Sequence, residues 1–170
     1  MKITEIAFKQ YGSYRDETIV PVSDGITGII GIYDATNLKS NGSGKSTLIR
    51  AINYAIYGED EGKKVESIIC DQVPSNEIDM WVRVKFNHNG FDYQITRGRK
   101  KTSPYLLFVR FENGSEITIG DKETDIRSKQ KLINDVVGMD FDMFTATVFF
   151  EQRKADKFIN TESSKSQGIS

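Results

Sequence analysis

Residues 40–47 read Ser-Asn-Gly-Ser-Gly-Lys-Ser-Thr, and this stretch decides what kind of fold the chain adopts. Gly42 and Gly44 allow consecutive backbone amides to point into one concavity, the geometry that holds phosphate groups. Lys45 then reaches the outer phosphates, and the Ser46 hydroxyl ligates Mg²⁺. A helix that begins here directs its positive dipole end at the same anion. The candidate ligands of a nucleoside triphosphate are Asn41, Gly42, Ser43, Gly44, Lys45, Ser46 and Thr47.

The sequence on both sides of this loop supports the prediction. The apolar run 28–32 is typical of a buried strand, and strand, glycine loop and helix is the order that a phosphate-binding loop requires. The residues after the loop have helical spacing and end at a glycine: Leu48, Ile49, Ile52, Ala55, Ile56 and Gly58. The alternative is a flexible Ser/Gly loop before an ordinary helix, and Lys45 with Ser46 weighs against it.

The loop departs from the usual spacing in one respect. The position of its first glycine is occupied by Lys39, and the nearest glycine at the strand end is Gly31. Residues 32–39 are therefore predicted to be an eight-residue insertion. Such an insertion contacts the base or ribose, caps the site, or lies in solvent, and polar loops most often do the last.

Length and composition limit the classes of protein to consider. The chain has 170 residues, 38% of them hydrophobic and 28% charged, with a net charge of −1, which indicates one soluble globular domain. No stretch approaches the ~18 apolar residues of a membrane helix, and the N-terminal residues do not lead us to expect a signal peptide. Cys70 is the only cysteine, which excludes an internal disulfide and fits a reducing cytoplasm. His88 is the only histidine, so a histidine-based catalytic or zinc site is not expected.

The rest of the chain predicts strands before the loop and an antiparallel meander after it. Residues 2–9 and 17–22 read as strands. Alternation with a period of two predicts a half-buried strand at Ile78, Met80, Val82, Val84 and Phe86. Asn89-Gly90 and Asn113-Gly114 are hairpin turn signals between the strands that follow. Residues 122–137 read as a helix, and residues 145–150 as a strand.

Four segments together resemble the N-terminal ATPase half of the SMC/SbcC-type DNA-repair ATPases, a branch of the wider ABC-type ATPases. They are KITEIAFKQYGSY, SNGSGKSTLIRAINYAIYG, FDYQITRGRKK and TVFFEQRKADKFINTESSK. The resemblance implies an α/β fold, a P-loop ABC-type ATPase head lobe whose mixed sheet carries an inserted antiparallel meander. It implies one head lobe over residues 1–165. Residues 166–170 are then a tail or the start of a missing coiled-coil region.

The resemblance assigns roles to matching positions. It implies that Lys45 holds the phosphates of ATP and that Ser46 holds Mg²⁺. Gln152 matches the glutamine that contacts Mg²⁺ and senses the γ-phosphate in this family. The alternative for Gln152 is an exposed polar residue at a strand end.

An early segment also matches the family. Its members often carry Asn-Phe-Arg-Ser beside the nucleotide, and this chain has Gln10-Tyr11-Gly12-Ser13. Ser13 fits the pattern, whereas the arginine position holds Gly12. Arg15 is the candidate to substitute for that arginine.

A complete ATPase of this type also needs an apolar strand that ends in Asp-Glu and a Ser-Gly-Gly signature loop, and the sequence contains neither. In the family both lie in a C-terminal half, after the coiled coil. The resemblance therefore implies ATP hydrolysis only when that half is supplied. It implies further partners: a second copy in a head-to-head dimer, a nuclease or effector subunit, and double-stranded DNA. It fits DNA repair and antiphage defence equally.

A basic cluster at the end of one predicted hairpin strand is a candidate contact for the DNA backbone. It consists of Arg97, Arg99, Lys100 and Lys101, which would neutralise phosphates without reading sequence. The alternative is a solvated turn that also protects an edge strand.

Two functions of other classes remain open. One is a self-contained P-loop NTPase or kinase, although the Asn-Lys-x-Asp motif of a GTPase is absent. The other is a non-catalytic module whose interactions depend on bound nucleotide.

Overall fold

The computed structural model describes residues 1–25, 28–30, 44–59, 64–123 and 125–147. The chain divides into two compact units, Met1–Val137 and a second unit from Gly138 onward. The elements of the first unit are β1 (Lys2–Lys9), β2 (Thr18–Pro21), α1 (Lys45–Tyr57), α2 (Val65–Ile68), a short 3₁₀ turn (Ser75–Glu77), β3 (Asp79–His88), β4 (Phe91–Lys100), β5 (Ser103–Glu112), β6 (Ser115–Thr118) and α3 (Ile126–Val137). The second unit contains α4 (Phe141–Thr147).

The strands of the first unit form one sheet in which every neighbouring pair is antiparallel. The order is β2-β1-β3-β4-β5-β6. Strands β3 to β6 are the predicted meander, with Val84 opposite Ile95 and Ile95 opposite Phe108. The first strand pairs directly with β3. The predicted α/β head lobe with an antiparallel meander is thus confirmed, and the described meander is continuous with the N-terminal strands.

Two Asn-Gly pairs make the tight turns of this meander, as predicted. Asn89 and Gly90 have φ of 51° and 81°, and Asn113 and Gly114 have φ of 49° and 78°. Positive φ at both central residues is the type I′ geometry, whose twist matches that of the flanking strands.

The core lies on one face of the sheet. Met80, Val82, Val84 and Phe86 on β3 are at most 1% exposed, which confirms the predicted alternation for four of its five residues, whereas the fifth, Ile78, precedes the strand and is half-buried. Helix α1 packs on β1, β3 and β4, and α3 packs on β5. Each large apolar side chain buried in this way contributes roughly 1.5–3 kcal/mol.

Helix α1 follows the predicted span and differs at two residues of the predicted buried stripe. Leu48, Ala55 and Ile56 are buried as predicted, whereas Ile52 is half-buried and Ile49 is 37% exposed. The helical rotation carries Ile49 away from the sheet, and Ala51 takes a place in the buried row instead. Gly58 ends the helix at φ 78°, and its amide donates to the Tyr54 carbonyl at 2.9 Å.

The predicted strand at 28–32 is wrong for the three of its residues that the structure describes. Residues 28–30 are not in a strand, and Ile30 is 86% exposed. A continuous apolar run forms a strand when neighbours cover both of its faces. The six paired strands of the described sheet do not include this run.

The predicted strand at 145–150 is also wrong for the residues described, because 145–147 end helix α4. Asp140 accepts a hydrogen bond from the Met143 amide at 2.8 Å, and Thr145 Oγ1 donates to the Phe141 carbonyl at 2.6 Å. The capped first turn outweighs the β propensity of the local sequence. None of the helices in the described part of the chain combines the length and apolar character needed to cross a bilayer.

Candidate functional site

The candidate site is built on the first turn of α1. Gly44 precedes it in the left-handed conformation, at φ 82°, and its carbonyl accepts from the amides of Thr47 and Leu48 at 3.0 and 3.3 Å. No side chain among the described residues caps this helix start. The first amides of a helix have no acceptors within the helix, so such a start is suited to an anion.

Three consecutive side chains leave this turn in different directions. Ser46 is exposed and Lys45 is half-buried, so both are placed at the surface of the helix start. Thr47 is only 4% exposed, and its hydroxyl accepts a hydrogen bond from Arg50 Nη2 at 3.3 Å. The Thr47 side chain is therefore part of the packing, and its backbone amide is already bonded to the Gly44 carbonyl.

The loop at 10–15 is held firmly from two sides. The Gly12 amide donates to the Ile68 carbonyl at 2.7 Å, and the Cys70 amide donates to the Gln10 carbonyl at 2.9 Å. On the other side, Gln10 Oε1 accepts from the Asp79 amide at 2.7 Å. These bonds fix the backbone of a loop in which Tyr11 is fully buried and Ser13 and Arg15 are exposed.

This loop lies against the start of α1. A Cβ atom added to Gly12 would be 2.6 Å from Thr47 Cγ2, and one added to Gly44 would be 2.8 Å from the Tyr14 ring. Both distances are shorter than real Cβ contacts, so both positions need glycine. Ser13 is exposed, and it sits between the two residues that make these contacts. Arg15 is exposed one position further on.

The described residues fit a phosphate group with a metal ion. A left-handed glycine, an uncapped helix start, a lysine and an exposed serine hydroxyl are the donor set for phosphate and Mg²⁺. Other predicted site residues lie outside the described part of the chain: Asn41, Gly42, Ser43 and Gln152. The predicted insertion at 32–39 lies outside it as well.

The basic cluster at the end of β4 is split by the structure. Arg97 is not at the surface: it is 7% exposed, and its guanidinium donates to the carbonyls of Ala55 and Ile56 at 3.2 and 3.4 Å. It cannot contact a DNA backbone from this position. Arg97 also pairs with Gln130 Oε1.

The other three basic residues are nearer to solvent. Arg99 forms a salt bridge with Glu66 at 2.8 Å, whereas Lys100 and Lys101 are exposed. The backbone hydrogen bond of Glu66 and then the Arg99 guanidinium hold the pKa of this carboxyl below its ordinary value. An exposed basic surface at this turn therefore consists of Lys100 and Lys101.

Burial changes the electrostatics of Arg97. Removal from water lowers the pKa of Arg97 to about 10, and the charges of Tyr54 and Glu59 act in the opposite direction. The guanidinium stays protonated at neutral pH. Its three acceptors lie at the C-terminal end of α1 and on α3, and cations are favoured at a helix C-terminus.

Strand periodicity could have placed Arg97 correctly. Tyr93 and Ile95 are buried on the core face of β4, and Arg97 continues the same alternation. Its charge suggested a surface position, whereas the period of two indicated the core. The contact of Tyr14 with Gly44 has no comparable signal in the sequence, because it joins residues thirty positions apart.

Comparison with known proteins agrees with this architecture. A family profile described as an AAA domain matches residues 5–169. The chain belongs to that family. Its resemblance to the N-terminal part of an SMC/SbcC-type ATPase head is likewise confirmed.

Several relatives are similar over much of the chain. The DNA double-strand break repair Rad50 ATPase of Methanocaldococcus jannaschii is 27% identical over 97% of this chain and 14% of its own length. The SbcC component of the SbcCD nuclease of Deinococcus radiodurans is 33% identical over 65% of this chain and 12% of its own length. The chain thus spans about one seventh of the curated relatives it matches. The SMC head domain of Thermotoga maritima aligns with a TM-score of 0.47 and 23% identity, over 72% of this chain and 41% of that chain.

Proposed function

We propose that this chain is the ATP-binding part of an SbcC/Rad50-like ATPase. ATP and Mg²⁺ bind at the start of α1, with Lys45 on the phosphates and Ser46 on the metal. Ser13 and Arg15 approach the nucleotide from the neighbouring loop, and Gln152 completes the metal site. Hydrolysis requires a C-terminal half that supplies the acidic and signature motifs.

The observation that carries the proposal is the junction between the loop at 10–15 and the first turn of α1. Gly12 lies against Thr47 and Tyr14 lies against Gly44, so the loop and the helix start form one fixed surface. A pre-formed surface of this kind loses little conformational entropy when its ligand binds, which favours binding. The lysine and serine at its centre match triphosphate and Mg²⁺ in charge and chemistry.

The cycle that follows from this proposal depends on assembly. ATP joins two heads, hydrolysis releases them, and the cycle controls DNA binding or processing by a partner nuclease or effector. Relatives named for double-strand break repair and for the SbcCD nuclease support a role in DNA repair, and antiphage defence is a second setting for the same cycle. The exposed Lys100 and Lys101 remain the candidate contacts for double-stranded DNA.

The direct test is ATP binding by a Lys45→Ala variant. Lys45 sits at the helix start and supplies a positive charge to the phosphates, so we expect affinity for Mg·ATP to fall by at least about a hundredfold, in line with a charge-assisted contact. Isothermal titration calorimetry measures the affinity.

Lys131→Ala is the matched control, because Lys131 is an exposed lysine on α3. Its affinity for Mg·ATP should equal that of the unaltered chain. If the Lys45→Ala and Lys131→Ala variants bind Mg·ATP with equal affinity, ATP does not bind at the start of α1.

A further inference from the structure

Arg97 is a buried cation whose hydrogen-bond acceptors lie on two different helices. Its Nε donates to the Ala55 carbonyl at 3.2 Å, and its Nη2 donates to the Ile56 carbonyl at 3.4 Å and to Gln130 Oε1. Two of these oxygens belong to the last turns of α1, and the third is on α3. One guanidinium on β4 therefore joins the end of α1 to α3.

Gln130 closes the same joint from the side of α3. Its Nε2 donates to the Ile56 carbonyl at 2.9 Å and to Asn134 Oδ1 at 2.9 Å. The Ile56 carbonyl thus accepts from both Arg97 and Gln130. We refer to Arg97, Gln130 and the Ile56 carbonyl as the α1–α3 joint.

The joint has little room to deform. The acceptors of Arg97 are uncharged oxygens, so its burial is compensated only while they remain bonded to it. A Cβ atom added to Gly58, the residue that ends α1, would be 3.1 Å from Arg97 Nη1. Displacement of the end of α1 would leave a buried charge without its acceptors, so the joint favours one arrangement.

The opposite end of α1 carries the candidate nucleotide site. The helix has 13 residues, and with a rise of 1.5 Å per residue it is about 20 Å long. A hydrogen-bonded helix of this length moves as a rigid element. A shift or stiffening of its first turn, at Lys45 and Ser46, is therefore transmitted to the carbonyls of Ala55 and Ile56.

We propose that Arg97 is a positioning residue that couples nucleotide occupancy at the start of α1 to the stability of α3, through its bond to Gln130. This inference rests on the proposed function, because it needs nucleotide to bind at the start of α1. Arginine is required here, because its planar fork reaches two carbonyls and an amide oxygen at once, which the single ammonium of lysine does not.

Hydrogen–deuterium exchange of the full 170-residue chain tests the coupling, with and without saturating Mg·ATP. In the unaltered chain we expect ATP to slow exchange in the first turn of α1 and, by about fivefold or more, in α3. The Gln130→Met variant removes both links of α3 to this joint, the bond from Arg97 and the bond to the Ile56 carbonyl, and leaves Arg97 on the α1 carbonyls. It should keep the ATP response of α1 and lose that of α3.

Lys131→Met is the matched control on the same helix, and it should respond to ATP as the unaltered chain does. Arg97→Lys is a second variant, which should lose the α3 response like Gln130→Met. Because coupling is reciprocal, both joint variants should also bind ATP about fivefold more weakly or worse. If Arg97 and Gln130 only stabilised the fold, the two joint variants would exchange faster in the absence of nucleotide. The difference in α3 exchange between the samples with and without ATP would then stay the same as in the unaltered chain.

The outcomes separate the two proposals. If ATP protects α1 in the unaltered chain and α3 does not respond, or if α3 responds equally in Gln130→Met, the coupling is refuted and the nucleotide site stands. If ATP protects neither helix in the unaltered chain, the proposed function fails, and the coupling fails with it.

Discussion

At the scale of single residues, glycine is required where two backbone segments meet at the candidate site. Gly44 has a φ of 82° and faces the Tyr14 ring, whereas Gly90 has a φ of 81° and open space, with nothing within 4 Å, where a Cβ atom would lie. The two residues share the same backbone strain and differ in their neighbours. Substituting alanine at each of these two glycines therefore distinguishes the free energy lost to a left-handed backbone from the free energy lost to a steric clash.

We expect Gly44→Ala to lower the free energy of unfolding more than Gly90→Ala does. Both substitutions carry the left-handed penalty of about 1–2 kcal/mol, and only Gly44→Ala adds a clash with Tyr14. Urea denaturation measures both values. Combining Gly44→Ala with Tyr14→Ala should recover the excess, since the smaller side chain leaves room. Equal losses for the two glycine variants would mean that Tyr14 does not constrain the loop.

At the scale of secondary structure elements, local signals account for the start of α3. Asp125 accepts from the Ser128 amide at 2.9 Å and from Ser128 Oγ at 2.7 Å, which makes it the cap of the helix. The predicted helix began at residue 122, and this cap explains why the observed one begins at Ile126. The bonds from Ser128 are the main reason that the pKa of Asp125 lies below its ordinary value of 3.8.

This cap predicts a pH-dependent contribution to stability. Because the pKa of Asp125 is lower in the folded chain, its charged form stabilises the fold above about pH 3.8, and this contribution is lost as the pH falls through the lowered pKa. Asp125→Asn keeps a capping oxygen but has no proton to gain. We expect the unaltered chain to be more stable than Asp125→Asn near pH 7, and the difference to be smaller near pH 3.

Urea midpoints at the two pH values measure this difference. Asp121→Asn is the control for the change in net charge, because Asp121 is exposed outside the helix. Its stability relative to the unaltered chain should vary much less with pH. A difference for Asp125→Asn that stays constant down to pH 3 would show that the charge of the cap contributes nothing.

The elements that sequence predicts well are those with local causes. The alternation along β3 and the turn at Asn89-Gly90 identify the meander, and the apolar stripe with Gly58 identifies α1. The predictions that are wrong concern residues whose structure depends on contacts with distant parts of the chain or on a helix cap. The run at 28–30 becomes a strand only with neighbours on both faces, and α4 forms because Asp140 caps it despite β-forming residues. Arg97 looked like a surface residue because its acceptors are more than thirty positions away.

At the scale of the whole molecule, the chain holds one half of a catalytic site as we propose it. In the proposed function, Lys45 and Ser46 bind the triphosphate and its metal, whereas the acidic motif that activates water and the signature loop that reaches a partner's γ-phosphate come from a C-terminal half. One half is sufficient to bind ATP, because it neutralises the charge of the phosphates and positions them. ATP hydrolysis needs both halves. Binding and hydrolysis should therefore separate cleanly in this protein.

We expect the chain alone to bind Mg·ATP without measurable turnover. Addition of a C-terminal half that carries the acidic and signature motifs should produce ATP hydrolysis, measured as phosphate release, and Lys45→Ala should abolish it. Rates that rise with the square of head concentration at low concentration would indicate the head-to-head dimer, because each active site then needs two copies. Robust turnover by the isolated chain would instead place the catalytic acid within these 170 residues and favour a self-contained NTPase. Tight binding with no turnover even after reconstitution would favour a module that uses ATP only as a switch for assembly.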